Sequence, residues 1–480
     1  MPDLSTLLTR RLLPGLLSIA AAGIGGGAQA QIAVHNQGYM PYSDAPINYR
    51  SDDLSDPVAK LEQQIEGGKA TLTWDADQGY LKSVLNLLKV PVESQTLVFS
   101  KTSFQYPKIT PDHPRALYYN DDVYVGKVHD GKAIEIVSFD PRQGAIFYLL
   151  DERKVDKPIF QRAELDCTQC HIAAGTRGIP GVLVRSVYPS DSGTLIPGAP
   201  TFITDQDSPL KERWGGWYVE GKFAAGSMAN SVAQTPAAAT AEAPQPAAAS
   251  PGISPLGSGT YKASDYLVPG SDAVALLVLS HQTQMHNLIT LTNYKTRIAL
   301  YALQNQSGDI QAAAAGSAPL PDTTRRQFER PAEQLLRYLL FANEASLNDL
   351  HAQSTLQASP FAREFAARGL RDSKGRSLRD FDLGTRIFRY PCSYLIYSED
   401  FDALPQPAKG YVYHRLLQIL SGEDQSDDFA HLSSQDRRAV LEILLETKPD
   451  LPEEWHDFAR SNHLKVADGA APQAAAGRAG

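Results

Sequence analysis

Between Pro236 and Pro251 the chain carries eight Ala and four Pro in sixteen residues, with Glu242 as its single charge. Such a stretch has too little apolar side chain to offset the entropy of ordering it, so no continuous core can run through it. It predicts a solvated linker or loop over 231–260 that divides the chain, and the two sides differ in pattern. Before it, Thr96-Phe99, Leu117-Tyr119, Val123-Val128, Ala133-Phe139 and Ala145-Leu150 are rich in Val, Ile, Tyr and Phe. Asp130-Gly131 sits between two of these runs as a short-hairpin signal, and Asp140-Pro141 with Gly144 marks the next turn. The expectation is an antiparallel meander. Two short helices precede it, from the Val58-Leu61-Ile65 spacing and from Tyr80 to Leu88.

After the Ala/Pro stretch the pattern turns helical. Asp272 to Leu303 is a long apolar-rich candidate, Pro331 to Ala345 opens with Pro at a helix start, and Tyr411 to Leu420 stops before Gly422. Ser433 and Asp436 have the spacing of a capping box, and Pro449 ends the helix behind them. The predicted class is α+β: a β-meander and a loop-rich segment over 31–230, then a mainly α-helical region over 261–466. A second low-complexity patch, Gln311 to Pro319, reads as a loop, and the Ala/Gly-rich tail from Ala467 reads as disordered.

The 480 residues are 42% hydrophobic and 21% charged, enough apolar side chain for a large core, which excludes wholesale disorder. The 45 basic and 54 acidic residues give −9, and an acidic chain gains no counterion-release term on a polyanion, so nucleic acid is not an expected partner. Arg10 and Arg11, the apolar stretch Leu12 to Ile24 and Ala28-Gln29-Ala30 have the three parts of a secretory signal, cleaved after Ala30. Its apolar run falls short of the ~20 residues needed to span a bilayer. No later run is long enough, so the mature chain is expected to lack a membrane span.

Three Cys cannot build a disulfide framework, yet two of them stand in Cys167-Thr168-Gln169-Cys170-His171. Two thiols three positions apart can reach the two vinyl groups on one edge of a porphyrin, and the following His is carried to the iron. A thiol redox pair, half a zinc site and a structural disulfide compete with this reading. A redox pair sits at a helix start after a buried strand, which Arg162-Ala163-Glu164-Leu165-Asp166 does not suggest. A structural zinc needs a second ligand pair, and Cys392 is the one remaining Cys. Export agrees with haem, because thioether attachment in bacteria takes place outside the cytoplasm.

On these residues the chain resembles c-type cytochromes, in particular large mono-haem cytochrome c domain proteins of the bacterial periplasm. Cys167, Cys170 and His171 carry the specific resemblance. A looser one extends over PRALYYNDDVYVG before the motif and GIPGVLVRSVYP and ERWGGWYV after it. The resemblance implies one covalent haem c on Cys167 and Cys170, His171 as proximal iron ligand, electron transfer with other periplasmic carriers, and attachment by the cytochrome c maturation machinery. It brings no substrate. The chain departs from small cytochromes in length, in the strands before the motif and in lacking a nearby methionine ligand, and its single motif sets it apart from dihaem enzymes.

The distal ligand is sought elsewhere. His281-Gln282-Thr283-Gln284-Met285-His286 lies inside the long predicted helix, with His281 and Met285 one turn apart on one face. Met285, His281 and His286 are therefore the candidate distal ligands, with Met285 first for a carrier and Met228 next in line. Trp214 and Trp217 are candidate haem walls, and Arg185 and Arg213 candidate partners for propionates. Cys392 reads as a buried, inert thiol. Three functions follow: an electron-carrying periplasmic cytochrome, a haem-dependent redox enzyme with an open sixth iron position, or a haem-based sensor or docking protein. A substrate-converting role is specified by no residue pattern.

Overall fold

Seven strands form one antiparallel sheet, and their inward and outward residues separate cleanly by the period of two. In the computed structural model the strands are β1 (Thr96–Val98), β2 (Arg115–Tyr119), β3 (Val123–Lys127), β4 (Ala133–Asp140), β5 (Gly144–Asp151) and β6 (Phe160–Arg162). A small pair, β7 (Val184–Val187) and β8 (Thr201–Thr204), stands apart, and β9 (Trp217–Tyr218) returns to the edge. The sheet order is β6-β5-β4-β3-β2-β1-β9. The structure describes residues 40–220, 227–233, 253–257, 259–307, 319–348 and 359–466. Residues 1–30, expected to be a signal segment, the tail from Ala467, the whole of Pro236–Pro251 and all of Gln311–Pro319 but Pro319 lie outside the described residues.

The meander follows the predicted runs closely. Asp130 takes a positive φ of 51° in the β3–β4 turn, and Gly144 one of 72° at the start of β5, where a Cβ would lie 2.5 Å from Thr290 Cγ2. On one face Ile134, Ile136, Ile146, Tyr148 and Leu150 pack with Val58 and Leu61 of α1 (Pro57–Glu66) and Val84 and Leu85 of α2 (Leu81–Leu87). Asp56 caps α1 through bonds to the Val58 and Ala59 N–H groups. On the other face Tyr119, Tyr124, Phe139, Ala145 and Phe147 meet the helical half of the chain.

A short helix, α3 (Glu164–His171), leads directly from the edge strand β6. The organising element is α4 (Ala273–Ser307), a 35-residue helix in which every residue from Ala273 to Tyr294 is buried. Around it stand α5 (Asp322–Leu339), α6 (Pro360–Ala367), α7 (Glu399–Asp402), α8 (Gln406–Ser421), α9 (Ser434–Thr447) and α10 (Glu453–Ser461). Gly422 closes α8 at φ 85°, and Ser433 with Asp436 forms the expected capping box of α9. Several boundaries differ: α8 begins at Gln406, five residues before Tyr411, and α5 ends at Leu339, six residues short of Ala345. The helix expected from Pro331 begins nine residues earlier, at Asp322, and holds Pro331 in its interior, where an Arg325–Glu329 pair at 2.9 Å supports the preceding turn.

All described residues belong to one compact unit, and β10 (Ser231–Ala233) pairs antiparallel with β11 (Ile253–Pro255), Ala233 opposite Ile253. The described residues on the two sides of 234–252 therefore meet in one small sheet. Among the described residues no helix is long and apolar enough to cross a membrane.

Candidate functional site

The α4-facing side of the sheet does not fill completely. Two rows of residues run across it, Leu117–Gly126–Glu135–Leu149 and Tyr119–Tyr124–Val137–Phe147, each set by cross-strand register. Most of these form the floor of a cavity of about 480 Å³, a size in the ~300–1,000 Å³ range of small-molecule pockets. Cys167, Cys170 and His171 line it together with Val182, Val184 and Trp217, and with Leu279 and Thr283 of α4. Two aromatic residues of its lining reach solvent, Phe104 at 57% and Tyr106 at 54% exposed.

The three motif residues are brought together on α3. The Ala163 N–H donates to the Phe147 carbonyl at 2.9 Å, which ties the start of the helix to the floor row, and the His171 ring lies 4.9 Å from that of Phe147. His171 is held on its other side. Its Nδ1 lies 2.8 Å from the Gly181 carbonyl, which can only accept, so Nδ1 carries the proton and Nε2 has the bare lone pair. Burial pushes the imidazole below its ordinary pKa and keeps it neutral, the form that binds a metal. The Gly181 N–H returns a bond to the His171 carbonyl at 3.1 Å.

Asn287 of α4 then clamps this segment, accepting from the Val182 N–H at 3.1 Å and donating to the Val182 carbonyl at 2.7 Å. A Cβ at residue 181 would lie 2.2 Å from the Asn287 Oδ1, so the close approach requires glycine there. Neither residue stands out in the sequence analysis. The turn-forming Ile-Pro-Gly at 179–181, ten residues past the motif, is the signal that could have found Gly181.

The motif occupies a helix following a strand, an arrangement the sequence did not suggest and one that a thiol redox pair also uses. The electrostatics run the other way. Burial, with Glu135 and Asp166 nearby, pushes the Cys167 thiol up to about 12, whereas a redox thiol is activated by a lowered pKa. Among the described residues all three Cys are free, and no cluster of three or more His, Cys, Asp or Glu could hold a metal ion on its own.

Two charged groups sit in the apolar floor. Arg115 Nη2 pairs with Glu135 Oε2 at 2.5 Å, and Glu135 also accepts from Ser103 Oγ at 2.8 Å and Gln105 Nε2 at 2.9 Å. The guanidinium lies over Gly126, where a Cβ would come within 2.3 Å of Nη2, while its buried Nε has no partner among the described residues. An apolar, haem-sized recess, two thiols and an Nε2 lone pair at its wall, and an unsatisfied guanidinium N–H in its floor are a donor set that fits a haem. Arg185 also lines the cavity, with Nε donating to Thr201 Oγ1 at 2.8 Å.

The proposed distal ligands do not reach this cavity. His281 is fully buried, its Nδ1 2.6 Å from Gln206 Oε1 and its Nε2 2.8 Å from Ser393 Oγ, with Phe341 stacked at 4.6 Å. Burial pushes it down to about 3, so it stays neutral as a bridge between three segments. His286 spends Nδ1 on Asp400 at 3.2 Å and Nε2 on the Asp121 carbonyl at 2.7 Å, stacked 3.9 Å from Phe139. Met285 is buried in the core around α4, and Met228 lies against Ser186 Oγ at 3.7 Å. None of these four residues lines the cavity, and its described lining includes no His besides His171 and no Met. Helix rotation explains two of these: α4 turns Leu279 and Thr283 to the cavity, and His281 and Met285 lie roughly 120° or more round the helix from both. His286 shares the Leu279–Thr283 face but lies one turn past Thr283, where Asp400 and the Asp121 carbonyl take both ring nitrogens.

Trp217 lines the cavity and donates Nε1–H to the Arg185 carbonyl at 2.8 Å, while Trp214 is wholly buried and does not line it. Arg213 points away, bonding the Ser208 and Gln206 carbonyls at 2.7 and 2.9 Å. Cys392 is fully buried. No known protein family, no curated protein and no solved structure matches the chain.

Proposed function

We propose that this chain is a periplasmic c-type cytochrome, carrying one haem c on Cys167 and Cys170 with His171 as the axial iron ligand, and transferring single electrons to and from other periplasmic carriers. The observation that carries this reading is His171, whose Nδ1–H is committed to the Gly181 carbonyl while its other nitrogen is left bare in a cavity shared with both motif thiols. When bound, haem supplies one-electron redox chemistry. The chain does the rest. Leu117, Val137, Phe147 and Trp217 exclude water and give a low dielectric that disfavours added charge. Arg115 offers its unpartnered Nε–H to a carboxylate, and Asn287 holds the 181–182 segment that fixes the His171 ring.

Export followed by thioether attachment through the cytochrome c maturation machinery completes the assignment. Expressed in a bacterium with that machinery, the protein recovered from the periplasm should begin at Gln31 and carry one haem that survives denaturation. A haem-free product under those conditions would refute the reading. A second reading, a haem-dependent redox enzyme or sensor with an open sixth position, is favoured by the described cavity lining, which lacks a second His and any Met. Carbon monoxide separates the two: an unreactive ferrous haem is a carrier, and rapid binding marks an open site.

A further inference from the structure

A second recess, of about 680 Å³, lies between the N-terminal part of α9 and the 374–390 segment, on residues the haem reading does not use. Five cationic side chains line it: Lys374, Arg376, Arg386, Arg389 and Arg438. Only three carboxylates do, in a chain whose net charge is −9, so the sign is locally reversed. Those carboxylates are already committed. Glu442 alone receives Lys374 at 2.6 Å, Arg376 at 2.8 Å and Arg438 at 2.9 Å. Asp382 Oδ1 accepts the Gly384 and Thr385 N–H groups at 2.8 and 2.7 Å. Asp436 accepts Ser433 Oγ at 2.7 Å in the capping box and meets Arg386 at 2.6 Å. Arg389 is exposed, stands 5.7 Å from the Tyr390 ring and forms no ion pair among the described residues.

We infer that this recess binds a small multivalent oxyanion, a phosphate ester or a polycarboxylate, gripped by Arg386, Arg389 and Arg438. Arg438 meets Glu442 through Nε, and Arg389 forms no ion pair among the described residues, so both have guanidinium N–H groups to offer beside Arg386, and the forked geometry of Arg suits the paired oxygens of carboxylate and phosphate alike. The positive end of α9 adds to the same field. The concave shape favours a compact ligand over the flat face of a partner protein.

Calorimetric titration of the full-length holoprotein with inorganic pyrophosphate and with citrate, at constant ionic strength set by chloride, tests this. One saturable site is expected, with pyrophosphate tighter if the ligand is a phosphate ester and citrate tighter if it is a polycarboxylate. Arg389→Gln and Arg438→Gln should each weaken binding roughly tenfold, the effect of losing one charge-assisted hydrogen bond. Both side chains are exposed, and Glu442 keeps two other cations, so the fold should survive, as circular dichroism can check. Absence of saturable binding by either probe, or unchanged affinity in both variants, would overturn the inference. Binding of polyglutamate but neither small anion would overturn it as well, in favour of an acidic protein partner. The outcome does not depend on whether the haem assignment stands.

Discussion

Replacing Gly126 by Ala places a methyl group 2.3 Å from Arg115 Nη2, 2.8 Å from Nε and 2.9 Å from Cζ, so the guanidinium must leave its seat. An arginine end can swing, but this one is fixed by Glu135, and both side chains are less than one-fifth exposed. Breaking a fully buried pair costs about 3–5 kcal/mol, and partial exposure here brings the figure to the low end, about 2–3. Ser103 and Gln105 still bond Glu135, which limits the loss. Losing the glycine also removes unfolded-state freedom, which favours Ala by about 0.5–1 kcal/mol. The net expected destabilisation is about 2 kcal/mol in urea denaturation. The decisive measurement is a double-mutant cycle. With Arg115→Ala the methyl group has room, so Gly126→Ala should then cost nothing or stabilise slightly. Equal cost in both backgrounds would refute the claim that Gly126 is glycine because of Arg115.

Further outcomes follow from the same contacts. His281→Ala should leave the haem spectrum and carbon monoxide reactivity unchanged while costing roughly 3 kcal/mol, since two buried hydrogen bonds and an aromatic stack are lost; a ligation change on this substitution would restore it as a distal candidate. Asn287→Ala should destabilise by roughly 2–3 kcal/mol through the two unmade Val182 bonds, read by thermal and urea unfolding; a change under 0.5 kcal/mol would show that the clamp is dispensable. Burial pushes the Glu344 carboxyl up to about 7, above its unfolded value, so the folded state holds that proton more tightly. Its contribution is therefore complete below about pH 4.5 and is lost as pH rises through about 7. Glu344→Gln should flatten the fall in stability between pH 5 and 8 by roughly 1–2 kcal/mol, allowing for its partial exposure; an unchanged slope would sink the assignment.

The meander was legible because each strand is half-buried on both sides of a pleat, so Ile134, Ile136, Ile146 and Tyr148 alternate with residues of the other face. The capping box at Ser433 and the stop at Gly422 were legible for local reasons of the same kind. The short pairs β7–β8 and β10–β11 were not, because three or four residues carry no usable period and their pairing is decided by distant partners. The candidate distal ligands lie away from the cavity for a related reason. His281, Met285 and His286 suggested ligands because polar groups are rare on an apolar helix. A helix buried all round, however, needs partners on every side, and Gln206, Ser393 and Asp400 supply them. Sequence spacing states which residues share a face, and the tertiary arrangement decides what that face meets.

The pairing of Ala233 with Ile253 has a consequence for how this chain can change over generations. A segment whose two ends are already zipped together has its closure set by those ends, so each doubling of its length adds only about 0.6 kcal/mol of entropy. Selection on stability therefore exerts little pressure on the number of residues between them, and slippage in an Ala/Pro-coding repeat can lengthen or shorten the insert nearly neutrally. The same tolerance makes this the natural place to graft a tag or an entire folded module, leaving the β10–β11 clasp to hold the host together.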